Sequence, residues 1–152
     1  MAGFTKGKVL SVNISDKKGE KKHNVDRCLL VTQLGLQGDA HAGFEHRQVS
    51  LLAETSVRKI RDKGLDVQFG DFAENLTISG IEIFTLPIGT KLNVGQNVLL
   101  EISQIGKLCH ERCHIFHQVG DCVMPREGVF ATVSTGGEVR VGDEVEALGR
   151  DA

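Results

Sequence analysis

The chain has no tryptophan and no tyrosine, only two prolines, and no long apolar run. A stacking platform for single-stranded nucleic acid would have to rest on phenylalanine and histidine alone. The 18 basic and 20 acidic residues leave a net charge of −2, which gives no electrostatic case for nucleic-acid binding. No apolar stretch approaches the ~20 residues that cross a bilayer as a helix, so no membrane association is expected. Met1–Lys8 lacks the apolar segment of a secretory signal. These absences point to the cytoplasm, where the four cysteines should serve as reduced thiols, metal ligands or catalytic groups rather than structural disulfides.

What is present is glycine. Eighteen glycines against two prolines suit many tight turns between short strands, and 152 residues with 40% hydrophobic content fit a single domain with a real core. Leu10, Val12 and Ile14 alternate as one face of a strand, and a second strand is expected between Val25 and Thr32, with Cys28 as a small core residue. The charged connection from Ser15 to Asn24 reads as a solvated loop. After a short buried strand, Gln48–Leu52, the clearest helix spans Glu54–Lys63. Val57, Ile60 and Arg61 have helical spacing, an acid begins it, a base ends it, and Gly64 stands where a left-handed stop belongs.

Roughly three strands are expected between Ile78 and Ser103. The segment Leu92–Val98 is echoed by Val139–Val145, both apolar-x-Val-Gly-polar-polar-Val, which predicts two similar hairpins. Further strands at Val129–Val133, Val139–Val141 and Val145–Leu148 complete a mainly β chain with one or two short helices. Such strands favour a closed or strongly curved β-barrel, because closure removes exposed edges.

Three segments carry more chemistry than a scaffold needs. Gly35–Gly43 encloses Asp39 and His41 between glycines, and suits either a surface turn or a sharply bent backbone presenting polar groups. Gly70–Thr77 sets Glu74 and Asn75 between Phe72 and Leu76, a partly buried turn whose polar groups must find partners. Lys107–His117 holds two of the four cysteines and three of the six histidines.

In that last segment Cys109 follows a strand and has Lys107, His110 and Arg112 close by. Nearby cations, and free backbone amides at a helix start, favour the thiolate that a nucleophile or sulfur carrier requires. A helix from Cys109 to Gln118 would put Cys109 and Cys113 on one face, about 6 Å apart at Cα, within reach of a regulatory disulfide. Cys113, His114, His117 and Cys122 offer an N/S donor set suited to zinc, although C-x3-C with a lone third cysteine is not the paired spacing of a zinc ribbon. Arg47, Lys107, Arg112 and Arg126 lie beside the unusual segments, where guanidinium forks suit phosphate and other oxyanions.

Taken in order, Gly35–Gly43, Arg47–Leu52 with Glu54, Gly70–Thr77, Leu86–Gly89, Cys109, Gly128–Ala131, Gly137 and Val141–Asp143 resemble the MOSC domain family, named for the C-terminal domain of molybdenum-cofactor sulfurase. The resemblance implies a β-barrel whose cysteine, here Cys109, carries sulfur as a persulfide or faces molybdenum. It also implies molybdenum cofactor (molybdopterin) as a small anionic ligand, with Asp39, His41, Arg47, Asn75, Lys107 and Arg126 as candidate cofactor-binding residues. The implied partners are a cysteine desulfurase or a molybdoenzyme, since the chain lacks a pyridoxal-phosphate desulfurase portion. Leu108 stands where the family often has proline, and Cys113, His114 and Cys122 go beyond its pattern, leaving room for a resolving thiol or a metal. The alternatives are a non-catalytic molybdopterin delivery module and a zinc- or thiol-sensing domain built on Cys109, Cys113, His114 and Cys122.

Overall fold

The structure is a computed structural model, and it describes residues 6–15, 22–39, 48–72, 74–106 and 124–149. The strands in chain order are β1 (Lys6–Ile14), β2 (His23–Asn24), β3 (Arg27–Val31), β4 (Gly35–Leu36), β5 (Val49–Ala53), β6 (Leu76–Ser79), β7 (Lys91–Val94), β8 (Val98–Ile105), β9 (Val129–Thr135), β10 (Gly137–Arg140) and β11 (Glu144–Gly149). Helix α1 spans Glu54–Arg61, a 3-10 turn spans Ile83–Thr85, and one further helical turn, α2, spans Met124–Glu127.

Seven strands close into a barrel in the order β1-β6-β5-β9-β8-β7-β11, with β11 returning to β1 through Lys6↔Glu146 and Lys8↔Glu144. A ring with an odd number of strands cannot alternate direction all the way round. One pair must be parallel, and it is β5–β6, registered Leu51↔Leu76 and Ala53↔Ile78. Parallel neighbours need a long crossover, and here it contains α1. The expected barrel is therefore closed, and the closing strand is the last one described.

Alternation along the strands sorts the two faces. Val49, Leu51 and Ala53 of β5, Leu76 and Ile78 of β6, and Val129, Ala131 and Val133 of β9 fill the barrel interior. Leu52 and Phe130 point outward and pack with Val57 and Ile60 of α1, and with Val67 and Phe72. The helix thus lies over the outer face of β5. It ends at Arg61, two residues before the expected Lys63, and Gly64, two residues after the Asp62 cap, has the expected left-handed φ of +97°. Arg61 is exposed, and its Nε donates to the Val67 carbonyl.

Two expectations need correcting. The echo at Leu92–Val98 is a hairpin, with β7 and β8 paired at Val94↔Val98. Its counterpart at Val139–Val145 is not, because β10 pairs with β3 in a separate three-stranded sheet while β11 enters the barrel beside β7. The repeated pattern encodes a turn, and the partner strand is chosen by distant contacts. The two turns instead touch each other, Gly95 donating its amide to the Glu144 carbonyl. The second correction concerns the charged connection before β2. Its last residue, Lys22, is buried rather than solvated.

Cys28 is partly buried against the core, with its thiol 3.3 Å from the Gln37 carbonyl. Burial pushes its pKa up, and it packs at the edge of the core rather than within it, where the sequence predicts it.

Candidate functional site

The outer face of the barrel is apolar where α1 covers it and polar one strand further on. Ser50, Asn75 and Asn13 lie on adjacent strands or strand ends of β5, β6 and β1, facing away from the Leu51, Leu76 and Val12 interior, and all three are buried. Asn75 stands one residue before β6 and substitutes for ladder contacts with its side chain. Its Oδ1 accepts from the Ser50 amide (2.9 Å) and hydroxyl (3.2 Å). Its Nδ2 donates to the Asn13 carbonyl (3.0 Å). The Asn75 amide donates to Ser50 and the Asn13 amide donates to the Asn75 carbonyl. Asn13 Nδ2 donates in turn to the Glu74 carbonyl. An amide side chain has two acceptor and two donor positions, and Asn75 spends most of them joining three strands.

Asp39 is anchored to the same region from the other side. Its Oδ1 accepts from Lys22 Nζ at 2.6 Å and from the Ser15 amide at 3.0 Å. The side chains of Lys22 and Asp39 are 1% and 0% exposed. Burial alone would raise the Asp39 pKa. The hydrogen bond from Lys22, the Ser15 amide, the Lys22 charge and a hydrogen bond from Asn75 outweigh it and hold the carboxyl below the usual range. Asp39 and Asn75, from two distant sequence segments, therefore meet. Lys22 also clasps the second segment through its backbone, its amide donating to the Gly70 carbonyl at 2.9 Å.

Glu74 shows the opposite behaviour. It is fully buried, its Oε2 accepts from the Thr77 hydroxyl at 2.8 Å, and its Oε1 has no hydrogen-bond partner among the described residues. Burial pushes its pKa up, and the amide of Gly70, the Thr77 hydroxyl and the amides of Glu74 and Phe72 only partly pull it back. Two carboxyl groups of one region are thus driven apart, Asp39 toward the anion and Glu74 toward the neutral acid.

The third motif segment lies in the sequence between β8 and β9. Strands β8 and β9 pair up to Ile105↔Val129, and the Gly106 amide donates to the Gly128 carbonyl at 2.6 Å. The chain between these glycines, an excursion from β8 to β9 in the sequence, carries Lys107, Cys109, Cys113, His114 and Cys122. Its C-terminal foot is fastened to α1. Glu127 accepts from the buried Ser56 hydroxyl at 2.6 Å and pairs with Lys59 at 2.5 Å. Arg126, on the same turn, is exposed. Register places the row beside the excursion's start, since Ser50 pairs with Phe130 and Phe130 with Gln104, two residues before Gly106.

Of the candidate residues, the structure brings Asp39 and Asn75 together and sets Arg126 at the foot of the excursion. His41, Arg47, Lys107, Cys109, Cys113, His114 and Cys122 lie outside the described residues, as does the helix expected from Cys109. Among the described residues, no group of three His, Cys, Asp or Glu side chains could hold a metal, and no helix is long and apolar enough to cross a membrane. Sequence reasoning missed Lys22, Ser50 and Asn13. Ser50 stands within a motif segment, and its place opposite Leu51 on an alternating strand was the available signal. Lys22 and Asn13 gave none.

A search of curated proteins found no match to the sequence. Solved structures do match. The YuaD protein from Bacillus subtilis superposes with a TM-score of 0.79 at 18% identity, covering 95% of this chain and 96% of that one. YiiM from Geobacillus stearothermophilus gives 0.70 at 18% identity over 95% of this chain and 76% of that one. YiiM from Escherichia coli gives 0.66 at 19% identity, with 97% and 71% covered. At such identities the likeness establishes the barrel fold alone. The MOSC domain profile, however, matches residues 38–146, from the glycine before Asp39 into the strand that closes the barrel, and the chain belongs to the MOSC domain family.

Proposed function

We propose that this protein binds molybdenum cofactor, with Cys109 as the thiol that either carries sulfur as a persulfide or faces molybdenum. The observation that carries this reading is the convergence of Asp39 and Asn75 in one buried row that runs by strand register to the base of the Cys109 excursion. Three strand steps separate Asn75 from Gln104, roughly 14 Å, and Cys109 follows Gln104 by five residues in the sequence. His41 follows the anchored Asp39 by two residues in the sequence.

The donor set fits an anionic cofactor. Lys22 neutralises Asp39, and burial keeps Glu74 toward its uncharged form, so a phosphate-bearing ligand meets no uncompensated buried anion. Asp39, Asn75 and Ser50 would form the polar wall. Arg126, with Arg47, Lys107 and His41 from outside the described residues, would supply cationic and hydrogen-bonding groups for the phosphate and pterin. The cofactor, when bound, would supply a metal centre that takes sulfur ligands readily. The sulfur would come from a cysteine desulfurase or pass to a molybdoenzyme.

The experiment is to incubate purified protein with a cysteine desulfurase and cysteine, and to locate added sulfur by mass spectrometry. One added sulfur on Cys109, absent from Cys109→Ser, is expected. Sulfur that never appears on Cys109, or persists in Cys109→Ser, rules out the carrier role. Cofactor binding of equal affinity in wild type and Cys109→Ala would then assign a delivery module instead.

A further inference from the structure

Lys22 belongs to none of the motif segments, yet it is the residue on which two of them close. Its ammonium lies 2.6 Å from Asp39 Oδ1 and 3.4 Å from the Ser15 hydroxyl. Its amide donates to the Gly70 carbonyl, and its own carbonyl presses so closely on Gly70 that a Cβ there would stand 2.3 Å from it. Side chain and backbone thus grip different segments: the first holds the Gly-Asp turn, the second the turn leading to Glu74 and Asn75.

A lysine stem can reach out of most surfaces to keep its charge in water. Here it does not, although the adjoining strand β2 is exposed. Withdrawing a carboxylate and an ammonium from water is costly even when the two are paired. We propose that Lys22 is a positioning residue of this site: its ammonium pins the Asp39 carboxylate, its backbone pins the Gly70 turn, and the two motif segments are thereby held facing each other across one cation.

Among the described residues, two ionisable groups act on Asp39. Lys22 faces it from before β2. Cys28 faces it from β3, where the Asp39 charge helps keep the thiol protonated. Ser15 and Asn75 contribute neutral donors.

The test is an NMR titration of the Asp39 side-chain carboxyl carbon in the full chain, as wild type, Lys22→Met and Lys22→Arg. In wild type the midpoint should lie below the ordinary value of 3.8. Lys22→Met should raise it by about one to three pH units, the usual effect of removing an adjacent opposite charge, and should move the amide signals of Ser50 and Asn75. Lys22→Arg should restore most of the shift. A wild-type midpoint at or above the ordinary value overturns the proposal and requires no variant to fold. So does a Lys22→Met protein whose Asp39 midpoint and Asn75 amide are unchanged.

What the positioned groups serve rests on the cofactor-binding reading, so the same proteins should be titrated with molybdenum cofactor itself. Lys22→Met should bind about tenfold more weakly, and Lys22→Arg close to wild type. Unchanged affinity in Lys22→Met despite a displaced Asp39 titration also overturns the positioning role. If wild type fails to bind the cofactor, the functional reading falls while the NMR titration still judges Lys22.

Discussion

Asn75 is folded around Ser50. The Ser50 amide and hydroxyl both donate to Asn75 Oδ1, and the Asn75 amide reaches back to the Ser50 carbonyl and hydroxyl oxygens. These contacts secure the parallel pair β5–β6, which lets a seven-stranded barrel close. The polar row is therefore also part of what holds the barrel shut, and its variants should be felt in stability as well as in ligand binding.

Asn75→Ala should lower unfolding stability by about 2–6 kcal/mol, because it strands the Ser50 amide and the Asn13 carbonyl in a buried place, at about 1–3 kcal/mol for each group. Asn75→Asp keeps the acceptor but removes the donor to Asn13 and sets a second carboxylate beside Asp39. It should be worse than alanine at pH 7, and the gap should narrow as pH falls and the new carboxyl protonates. Urea unfolding at pH 7 and pH 5 checks both.

The ion pair gives a second expectation. Lys22→Met alone leaves the buried Asp39 carboxylate without its ammonium partner, at about 3–5 kcal/mol. Lys22→Met combined with Asp39→Asn removes both charges and should recover at least half of that loss. A double-mutant cycle in urea reads the coupling, and simple additivity of the two substitutions contradicts a tight pair.

The two carboxyls also predict opposite pH dependences. Glu74 has a raised folded-state pKa, so its contribution is fully present below its unfolded value of 4.5 and is lost as pH rises through the folded value. Asp39 has a lowered folded-state pKa, so its contribution is present above 3.8 and is lost as pH falls through the folded value. Glu74→Gln, which mimics the neutral acid, should flatten the decline on the alkaline side and leave the acid limb in place. Asp39→Asn should do the reverse. Thermal unfolding midpoints measured across pH 3 to 9 separate the two, and a Glu74→Gln curve parallel to wild type would show that Glu74 folds ionised.

Much of this architecture was legible from pattern. Alternation at Val49, Leu51 and Ala53, helical spacing at Val57 and Ile60, and glycine at position 64 are local signals, and local physics decides them. The meeting of Asp39 with Asn75 was legible only as two odd segments, each needing partners. What escaped was set by distant contacts. Lys22 follows charged neighbours that look solvated, and only Asp39 and Gly70 make its burial favourable. Val139–Val145 carries a good turn signal, but β3 had already claimed the strand that a hairpin would need.

The foot of the Cys109 excursion makes a separate prediction. Glu127 ties α2 to Ser56 and Lys59 of α1. Glu127→Ala should cost about 1–3 kcal/mol, chiefly by leaving the buried Ser56 hydroxyl unpaired, and should speed amide exchange at Gly128 and Val129. Lys59→Ala should cost under about 1 kcal/mol, because half of the Lys59 side chain is in water. Equal losses from the two would mean that the charge rather than the buried hydroxyl fastens the foot.

Two glycines with nearly the same backbone separate conformational strain from close approach. Gly64 and Gly70 have φ +97° and +98°. An alanine at 64 meets nothing within 4 Å, so Gly64→Ala should cost only the left-handed penalty of about 1–2 kcal/mol. At 70 the added methyl would stand 2.3 Å from the Lys22 carbonyl oxygen and 2.9 Å from its carbon, both backbone atoms that cannot swing aside. Gly70→Ala must therefore push Lys22 away, breaking the amide bond between them and straining the Asp39 pair, and should cost at least about 2 kcal/mol more than Gly64→Ala. It should also raise the Asp39 titration midpoint, which Gly64→Ala leaves alone. Equal stabilities for the two variants would mean that the Lys22 backbone is not locked to the turn, and that the motif segments are joined through Asn75 instead.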